Sequence, residues 1–155
     1  AAANHSFYLR NCYLNNTLSQ GKMQLAGKTL SLKDVKIPIY NLATKEDHIA
    51  PAKSVFVGSS LFGGPVDYVV SGSGHIAGVV NPPDKHKYQY WTNGAVSGNY
   101  EDWMANAKET SGSWWPHWQV WIEKLADERV PARKPGGDAL NAIGDAPGRY
   151  VLAGV

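Results

Sequence analysis

The sequence predicts an α/β protein in which parallel strands are connected through a helix. Two short apolar runs rich in β-forming residues, Ile37–Leu42 and Asp67–Val70, have the composition of strands that helices cover on both faces. Between them, Pro51 stands at the first turn of a segment whose apolar residues follow helical spacing. Strand, helix and strand in this order form a βαβ unit, which requires a parallel strand pair. Because two strands do not make a stable sheet, we expect further parallel strands of the same sheet outside the chain.

The residues before the first strand divide into two stretches. Residues 4–19 mix aromatic side chains with asparagines and lack a single apolar stripe, so we expect a helix or a lid-like segment there. Apolar and polar residues alternate between Gly21 and Leu32, which predicts a small hairpin with its tip at Gly27-Lys28. Pro38 lacks a backbone N–H, and the first residues of the Ile37–Leu42 strand should therefore lie outside the hydrogen-bonded ladder.

The last third of the chain is predicted to be helical and is rich in tryptophan. Asn99 is placed to cap a helix whose first turn carries two acidic residues. A second helix begins near Pro116 and has five apolar residues on one face: Trp114, Trp118, Trp121, Ile122 and Leu125. We expect this face to pack against the sheet, and an aromatic platform that stacks a sugar or a nucleotide is the alternative. Residues 130–148 are loaded with Pro, Gly and Ala and predict an extended surface tail.

The composition excludes several classes of protein. A chain of 155 residues that is 43% apolar and 18% charged is typical of one globular domain, and a net charge of +2 is too small to indicate a nucleic-acid partner. The sequence contains neither a run of about 20 apolar residues nor a signal peptide at Ala1–His5. The single cysteine, Cys12, excludes an internal disulfide. We therefore expect a cytoplasmic protein.

An acid and a histidine follow the two predicted strands, and they are the strongest candidates for chemistry. Asp47 comes after the first strand, and His75 lies in a glycine-flanked turn after the second. Adjacent parallel strands end at the same edge of a sheet, so we expect the two side chains to be within hydrogen-bond distance, about 2.6–3.2 Å. In α/β-hydrolases the acid and the histidine of the catalytic triad follow the nucleophile in this chain order.

No nucleophile accompanies this pair in the sequence. The 155 residues contain no G-x-S-x-G or G-x-C-x-G elbow, and Cys12 has no flanking glycine to permit the strained turn that exposes a nucleophile. We interpret Cys12 as a small hydrophobic residue. The chain is therefore expected to carry the second half of a catalytic site, and by itself to be inactive.

The remaining histidines and the glycine clusters predict no further site. His48 adjoins Asp47 and is interpreted as a supporting or tunnel-lining group, or as plain structure. His5, His86 and His117 lack metal-ligand spacing with any Cys, Asp or Glu cluster, which argues against a metal site. The glycines at 58–64 and 71–78 do not match a phosphate-binding loop, and a tight loop explains them better.

Five motifs together resemble the C-terminal portion of class I polyhydroxyalkanoate synthases. In chain order they are Glu46–Pro51, Gly72–Pro83, Tyr90–Asn93, Gly112–Pro116 and Ala146–Val151, and the likeness runs from about Phe7 to Val151. The resemblance implies the C-terminal part of an α/β-hydrolase fold: the end of a cap over residues 1–33, the last parallel strands and helices of the core over 34–128, and a tail over 129–155. It implies the transfer of (R)-3-hydroxyacyl groups from coenzyme A thioesters to a growing polyester chain.

The resemblance also implies roles for particular residues and partners. The catalytic acid falls on Asp47 and the catalytic histidine on His75, while Asn16 lies in the stretch that approaches the substrate entrance. The cysteine elbow of these enzymes has no counterpart in the 155 residues. No cofactor is implied. The implied partners are the acyl-CoA substrate, the polyester, the N-terminal part of the same synthase, a second copy in a homodimer and the surface of the cytoplasmic polymer granule.

Two other classes of function stay open from the residues alone. An esterase or a polyester depolymerase with an α/β-hydrolase fold would place an acid and a histidine in similar loops, and a serine elbow upstream would favour it. A non-catalytic module could bind polymer or carbohydrate through its tryptophans, which a fluorescence titration with candidate ligands would detect.

Overall fold

A computed structural model describes residues 1–126, 128–137 and 139–153, which form two compact units, Ala1–Lys124 and Leu125–Val155. The first unit contains four α-helices, α1 (Ala2–Tyr8), α2 (Ala52–Ser59), α3 (Tyr100–Ala105) and α4 (Trp115–Glu123). Its six strands are β1 (Met23–Leu25), β2 (Lys28–Leu30), β3 (Ile39–Thr44), β4 (Val66–Ser71), β5 (Gln89–Ala95) and β6 (Lys108–Ser111). Short helical turns lie at Leu9–Leu14, Leu32–Asp34 and Pro83–Lys85, and the second unit has one at Tyr150–Leu152.

The main sheet has four strands in the order β3-β4-β5-β6. Strands β3 and β4 are parallel, with Ile39 opposite Val66 and Thr44 opposite Ser71, and α2 lies between them in the chain. The predicted βαβ unit is confirmed. Strand β3 begins one residue after Pro38, as expected from the missing N–H of proline.

The rest of the sheet differs from the prediction. Strand β5 pairs with β4 in the antiparallel direction, and β6 pairs with β5 in the same way, so the sheet is mixed. The prediction of a helical last third is only partly correct, because β6 lies between α3 and α4. The sequence of β6, Lys-Glu-Thr-Ser, has no apolar residue, and only Trp91 of β5 is buried. Strands of this kind carry little of the hydrophobic pattern by which a buried strand is recognised.

The N-terminal stretch matches its prediction in outline. Residues 2–14 are helical, and β1 and β2 form an antiparallel hairpin in which Met23 pairs with Leu30. The hairpin turns at Ala26-Gly27, one residue before the predicted tip, and both residues have positive φ angles, +48° and +74°. In the described part of the chain, no helix is long and apolar enough to cross a membrane.

The core lies where α2 and α3 meet β4 and β5. Phe56, Tyr68 and Trp103 are almost fully buried, and their rings meet edge to face or tilted, with the Tyr68 and Trp103 centroids 4.9 Å apart. The Tyr68 hydroxyl donates to the carbonyl of Ala52 at 2.7 Å, which joins β4 to the start of α2. Asn99 caps α3 as predicted, because its side chain accepts from the backbone N–H of Asp102.

Helix α4 lies on the opposite face of the sheet from α2. Tyr40 contacts α4, whereas the next residue, Asn41, donates to Ser59 of α2 at 2.7 Å, and successive strand residues point to opposite faces. The predicted packing face of α4 is only partly correct. Trp121 meets the Tyr40 ring with centroids 5.5 Å apart, but Trp118 remains 39% exposed and Leu125 is 53% exposed.

Candidate active site

Asp47 lies in the loop after β3, and its carboxylate accepts four hydrogen bonds. One oxygen, Oδ1, accepts from the backbone N–H groups of Ile49 at 2.8 Å and Ala50 at 2.9 Å. The other, Oδ2, accepts from the hydroxyl of Thr44 at 3.3 Å and from Nδ1 of His75 at 2.7 Å. The Asp47 side chain is only 6% exposed, so these partners replace most of its water.

These hydrogen bonds favour the ionised form of Asp47. The backbone N–H of Ala50, the hydrogen bond from His75 and the backbone N–H of Ile49 together hold the pKa of Asp47 well below its ordinary value. The resulting stabilisation of the fold is present above the unfolded-chain pKa, about 3.9, and is lost as the pH falls through the lowered folded pKa. Asp47 is therefore a fixed anion throughout the neutral and mildly acidic range.

His75 lies in the loop after β4, opposite Asp47. Its Nδ1 is the atom that contacts Asp47, and an anionic carboxylate can only accept, so Nδ1 carries a proton. The side chain is 46% exposed, and in the described part of the chain no group hydrogen-bonds its Nε2. The expected geometry is thus confirmed: the two side chains follow adjacent parallel strands and meet at 2.7 Å. A neutral imidazole in this tautomer presents Nε2 as a base.

The loop that carries His75 is folded tightly against the ends of the strands. The buried hydroxyl of Ser71 donates to the carbonyl of Gly78 at 2.6 Å, and the Gly78 N–H donates to the carbonyl of Gly74 at 2.9 Å. A β-carbon added to Gly78 would come within 2.6 Å of both the Gly72 carbonyl oxygen and Cγ2 of Thr44. Only glycine fits at this position without a shift of the loop.

We expect Gly78→Ala to destabilise the chain by about 1–3 kcal/mol, because the added methyl group must displace backbone atoms in a packed region. Gly74→Ala is the matched control from the same loop, since the nearest atom to its added β-carbon is 4.0 Å away. Urea denaturation of both variants would measure the difference. Equal stabilities of the two variants would contradict the close packing at Gly78.

The other predicted residues form no hydrogen bond with this pair. His48 is exposed, and Asn16 is an exposed residue with a φ angle of +44°. Asn16 lines a cavity of about 660 Å³ with Ser19, Lys53 and Val57, and it shares no hydrogen bond with Asp47 or His75. Cys12 is half-buried in the helical turn after α1.

Two features were missed by the reasoning from sequence. Thr44 is 2% exposed and hydrogen-bonds the catalytic candidate Asp47; its signal is the spacing Thr-x-x-Asp at the end of a strand. An apolar cavity of about 310 Å³ is the second feature, and its lining residues are Val79, Val80, Trp114, Trp115 and Trp118. The indole N–H groups of Trp114 and Trp115 both donate to the carbonyl of Val79, at 3.2 and 3.0 Å, which leaves only apolar surface facing the cavity.

Curated proteins with closely similar sequences are polymerases of one kind. The chain is 72% identical over 152 residues to the poly(3-hydroxyalkanoate) polymerase subunit PhaC of Rhizobium etli, a match that covers 98% of the chain and 24% of that protein. It is 64% identical over 151 residues to the poly(3-hydroxyalkanoate) polymerase of Methylorubrum extorquens, covering 97% of the chain and 25% of the relative. The PhaC subunit of Cupriavidus necator is 40% identical over 151 residues, 96% of the chain and 26% of the relative.

No protein-family model matches the chain. The chain spans about a quarter of the length of the curated relatives it matches. Three relatives exceed 60% identity across nearly all of its residues, and all three are poly(3-hydroxyalkanoate) polymerases. The chain therefore belongs to the poly(3-hydroxyalkanoate) polymerase family and corresponds to the C-terminal part of its members.

Proposed function

We propose that this chain is the part of a polyhydroxyalkanoate synthase that supplies the catalytic acid, Asp47, and the catalytic base, His75. The complete enzyme would polymerise (R)-3-hydroxyacyl-CoA into polyester and release coenzyme A. The observation that carries the proposal is the 2.7 Å contact between Nδ1 of His75 and Oδ2 of Asp47 in loops that follow adjacent parallel strands. Membership of the polymerase family supports the reaction class.

In the first step, Nε2 of His75 takes the proton of a cysteine thiol that the rest of the polymerase provides. The base is needed because a thiol with its reference pKa of about 8.5 is mostly protonated near neutral pH. The thiolate attacks the carbonyl carbon of the acyl-CoA thioester, a new thioester to the enzyme forms, and the coenzyme A thiolate leaves and takes up a proton. Asp47 fixes the His75 tautomer and stabilises the imidazolium ion between the two proton transfers.

In the second step, the hydroxyl of one hydroxyacyl unit attacks the thioester carbonyl of another. An ester bond forms, the enzyme thiol is released, and the chain grows by one unit. The hydroxyl needs a base, which is typically worth about 10²–10⁴-fold in rate. His75 is half exposed and Asp47 is almost covered, so His75 is the group that a substrate hydroxyl can approach more easily.

The same proposal includes the architecture and partners of the complete enzyme. Residues 34–128 would complete an α/β-hydrolase core, with residues 1–33 as the end of the cap and 129–155 as the tail. The cavity of about 660 Å³ beside Asn16 supports a substrate entrance between the segment 16–19 and α2. His48 would support or line this path, and a homodimer at the surface of cytoplasmic granules would be the working form.

We expect the purified 155-residue chain to release no detectable coenzyme A from 3-hydroxybutyryl-CoA, since an acid and a base without a nucleophile cannot form the covalent intermediate. A thiol-reactive dye would follow coenzyme A release. Co-expression with an upstream segment that carries a G-x-C-x-G elbow should restore the activity if the two parts assemble. Sustained turnover by the chain alone would refute the proposal that the nucleophile comes from another part of the polymerase.

A second candidate function is polymer binding through the tryptophans. The apolar cavity between Val79, Val80 and Trp118 supports it, since Trp118 is 39% exposed there. Titration with 3-hydroxybutyrate oligomers should quench tryptophan fluorescence if this cavity binds polymer, and Trp118→Ala should abolish the quenching. The esterase and depolymerase alternatives receive no such support, because the curated relatives are polymerases.

A further inference from the structure

We infer that Thr44 is a positioning residue that fixes the Asp47 carboxylate toward His75. This inference rests on the proposed roles of Asp47 and His75 and adds to them a third side chain. Thr44 is the last residue of β3 and is 2% exposed. Its hydroxyl donates to Oδ2 of Asp47, the same oxygen that accepts from Nδ1 of His75.

The Thr44 side chain has little freedom to leave this position. Its methyl group, Cγ2, lies beside Gly78, where an added β-carbon would approach it to 2.6 Å. The methyl group therefore faces the loop of His75 while the hydroxyl faces Asp47. A β-branched side chain has few accessible χ1 rotamers, and packing of the methyl group selects one of them. One side chain thus contacts both loops of the candidate site.

Backbone contacts add to this arrangement. The carbonyl of Thr44 accepts from the N–H of Asp47 at 3.3 Å, so Thr44 holds the aspartate at its backbone and at its carboxylate. In the parallel ladder Thr44 lies opposite Ser71. The buried hydroxyl of Ser71 donates to the carbonyl of Gly78 and so fixes the loop that carries His75. The final residues of β3 and β4 therefore each use a hydroxyl to hold the loop that follows.

The Thr44 hydroxyl also fixes the orientation of the Asp47 carboxylate. The two backbone N–H groups bind Oδ1, and a partial rotation of the carboxylate about its χ2 angle would turn Oδ2 out of line with Nδ1 of His75. The Thr44 hydroxyl donates to Oδ2 and opposes that rotation. Without it, His75 is the one donor to Oδ2 among the described residues, and the direction of the carboxylate toward Nδ1 is held less firmly.

Side-chain nitrogen NMR of the 155-residue chain tests this inference through the tautomer of His75, with the resonance assigned by its loss in His75→Gln. Two comparisons isolate the hydroxyl. Thr44→Val keeps the Cγ2 methyl group of the unmodified chain and loses the hydroxyl. Thr44→Ala likewise lacks the hydroxyl that Thr44→Ser retains. We expect the minor Nε2–H tautomer of neutral His75 to rise about fivefold in Thr44→Val and Thr44→Ala. Thr44→Ser should stay close to the unmodified chain.

The controls separate this role from general destabilisation and from failure of the proposed site. Ser59→Ala removes another almost fully buried hydroxyl, on α2, and should leave the His75 tautomer unchanged. Asp47→Asn should shift the tautomer further than any Thr44 variant. Unchanged tautomer populations in Thr44→Val, with a shift in Asp47→Asn, would overturn the role of Thr44 and leave the acid and base assignment intact. An unchanged tautomer in Asp47→Asn would overturn both.

Discussion

His75→Ala in a complete polymerase that contains this chain is expected to lower the rate of polymer synthesis by about 10³–10⁴-fold. The His75 imidazole binds Asp47 through Nδ1, and no group in the described part of the chain hydrogen-bonds its Nε2, which can therefore act as the base. Its loss removes proton transfer from the thiol and, by our proposal, from the attacking hydroxyl. Release of coenzyme A and the mass of polymer formed would both be measured.

Asp47→Asn should have a similar effect for a different reason. The side chain of asparagine keeps the shape of aspartate, but its NH2 group donates a hydrogen bond. It would therefore favour the imidazole tautomer in which Nδ1 accepts and Nε2 carries the proton. That tautomer has no base directed toward the substrate. The substitution also removes the negative charge that stabilises the imidazolium ion.

Controls for these two variants come from the same chain. His5→Ala changes a histidine in α1 that is exposed and has no contact with the pair, and it should retain nearly all activity. Circular dichroism and urea denaturation would establish that His75→Ala and Asp47→Asn remain folded. A loss of less than about tenfold in either folded variant is incompatible with the proposed roles, because general-base catalysis alone is worth more.

The part of the fold that positions this pair could be predicted because local signals agree with each other. The apolar runs mark β3 and β4, Pro51 marks the start of α2, and the order of the elements requires a parallel pair. From that pairing, the proximity of Asp47 and His75 follows by geometry alone.

Other parts of the molecule depend on tertiary contacts that no local sequence pattern predicts. Strand β6 has a polar sequence and forms only because β5 offers it an open edge. The position of the Thr44 side chain depends on its pairing opposite Ser71 in the parallel ladder and on the close approach of Gly78. The apolar stripe of α4 predicts which side of the helix faces the sheet. The extent of the sheet surface decides how far each apolar side chain is covered, and Trp118 remains 39% exposed.

Trp121→Ala is expected to lower the free energy of unfolding of the chain by about 2 kcal/mol, a value below the 3–5 kcal/mol of a fully buried tryptophan because Trp121 is half-buried. Two contacts would be lost. The indole ring packs edge to face on Tyr40, with centroids 5.5 Å apart, and Nε1 donates to Oδ2 of Asp67 at 2.7 Å. The carboxylate of Asp67, itself half-buried on β4, would lose this donor.

Two further variants divide that effect between packing and hydrogen bonding. Trp121→Phe keeps an aromatic ring against Tyr40 without the N–H, so it should recover part of the stability. Trp118→Ala removes a more exposed indole and should cost less than Trp121→Ala, at most about 1 kcal/mol. Urea denaturation gives all three values, and fluorescence titration with 3-hydroxybutyrate oligomers gives the effect on binding. If Trp121→Ala left stability unchanged and abolished binding, Trp121 would have to be assigned to a ligand site and not to the packing of α4 on the sheet.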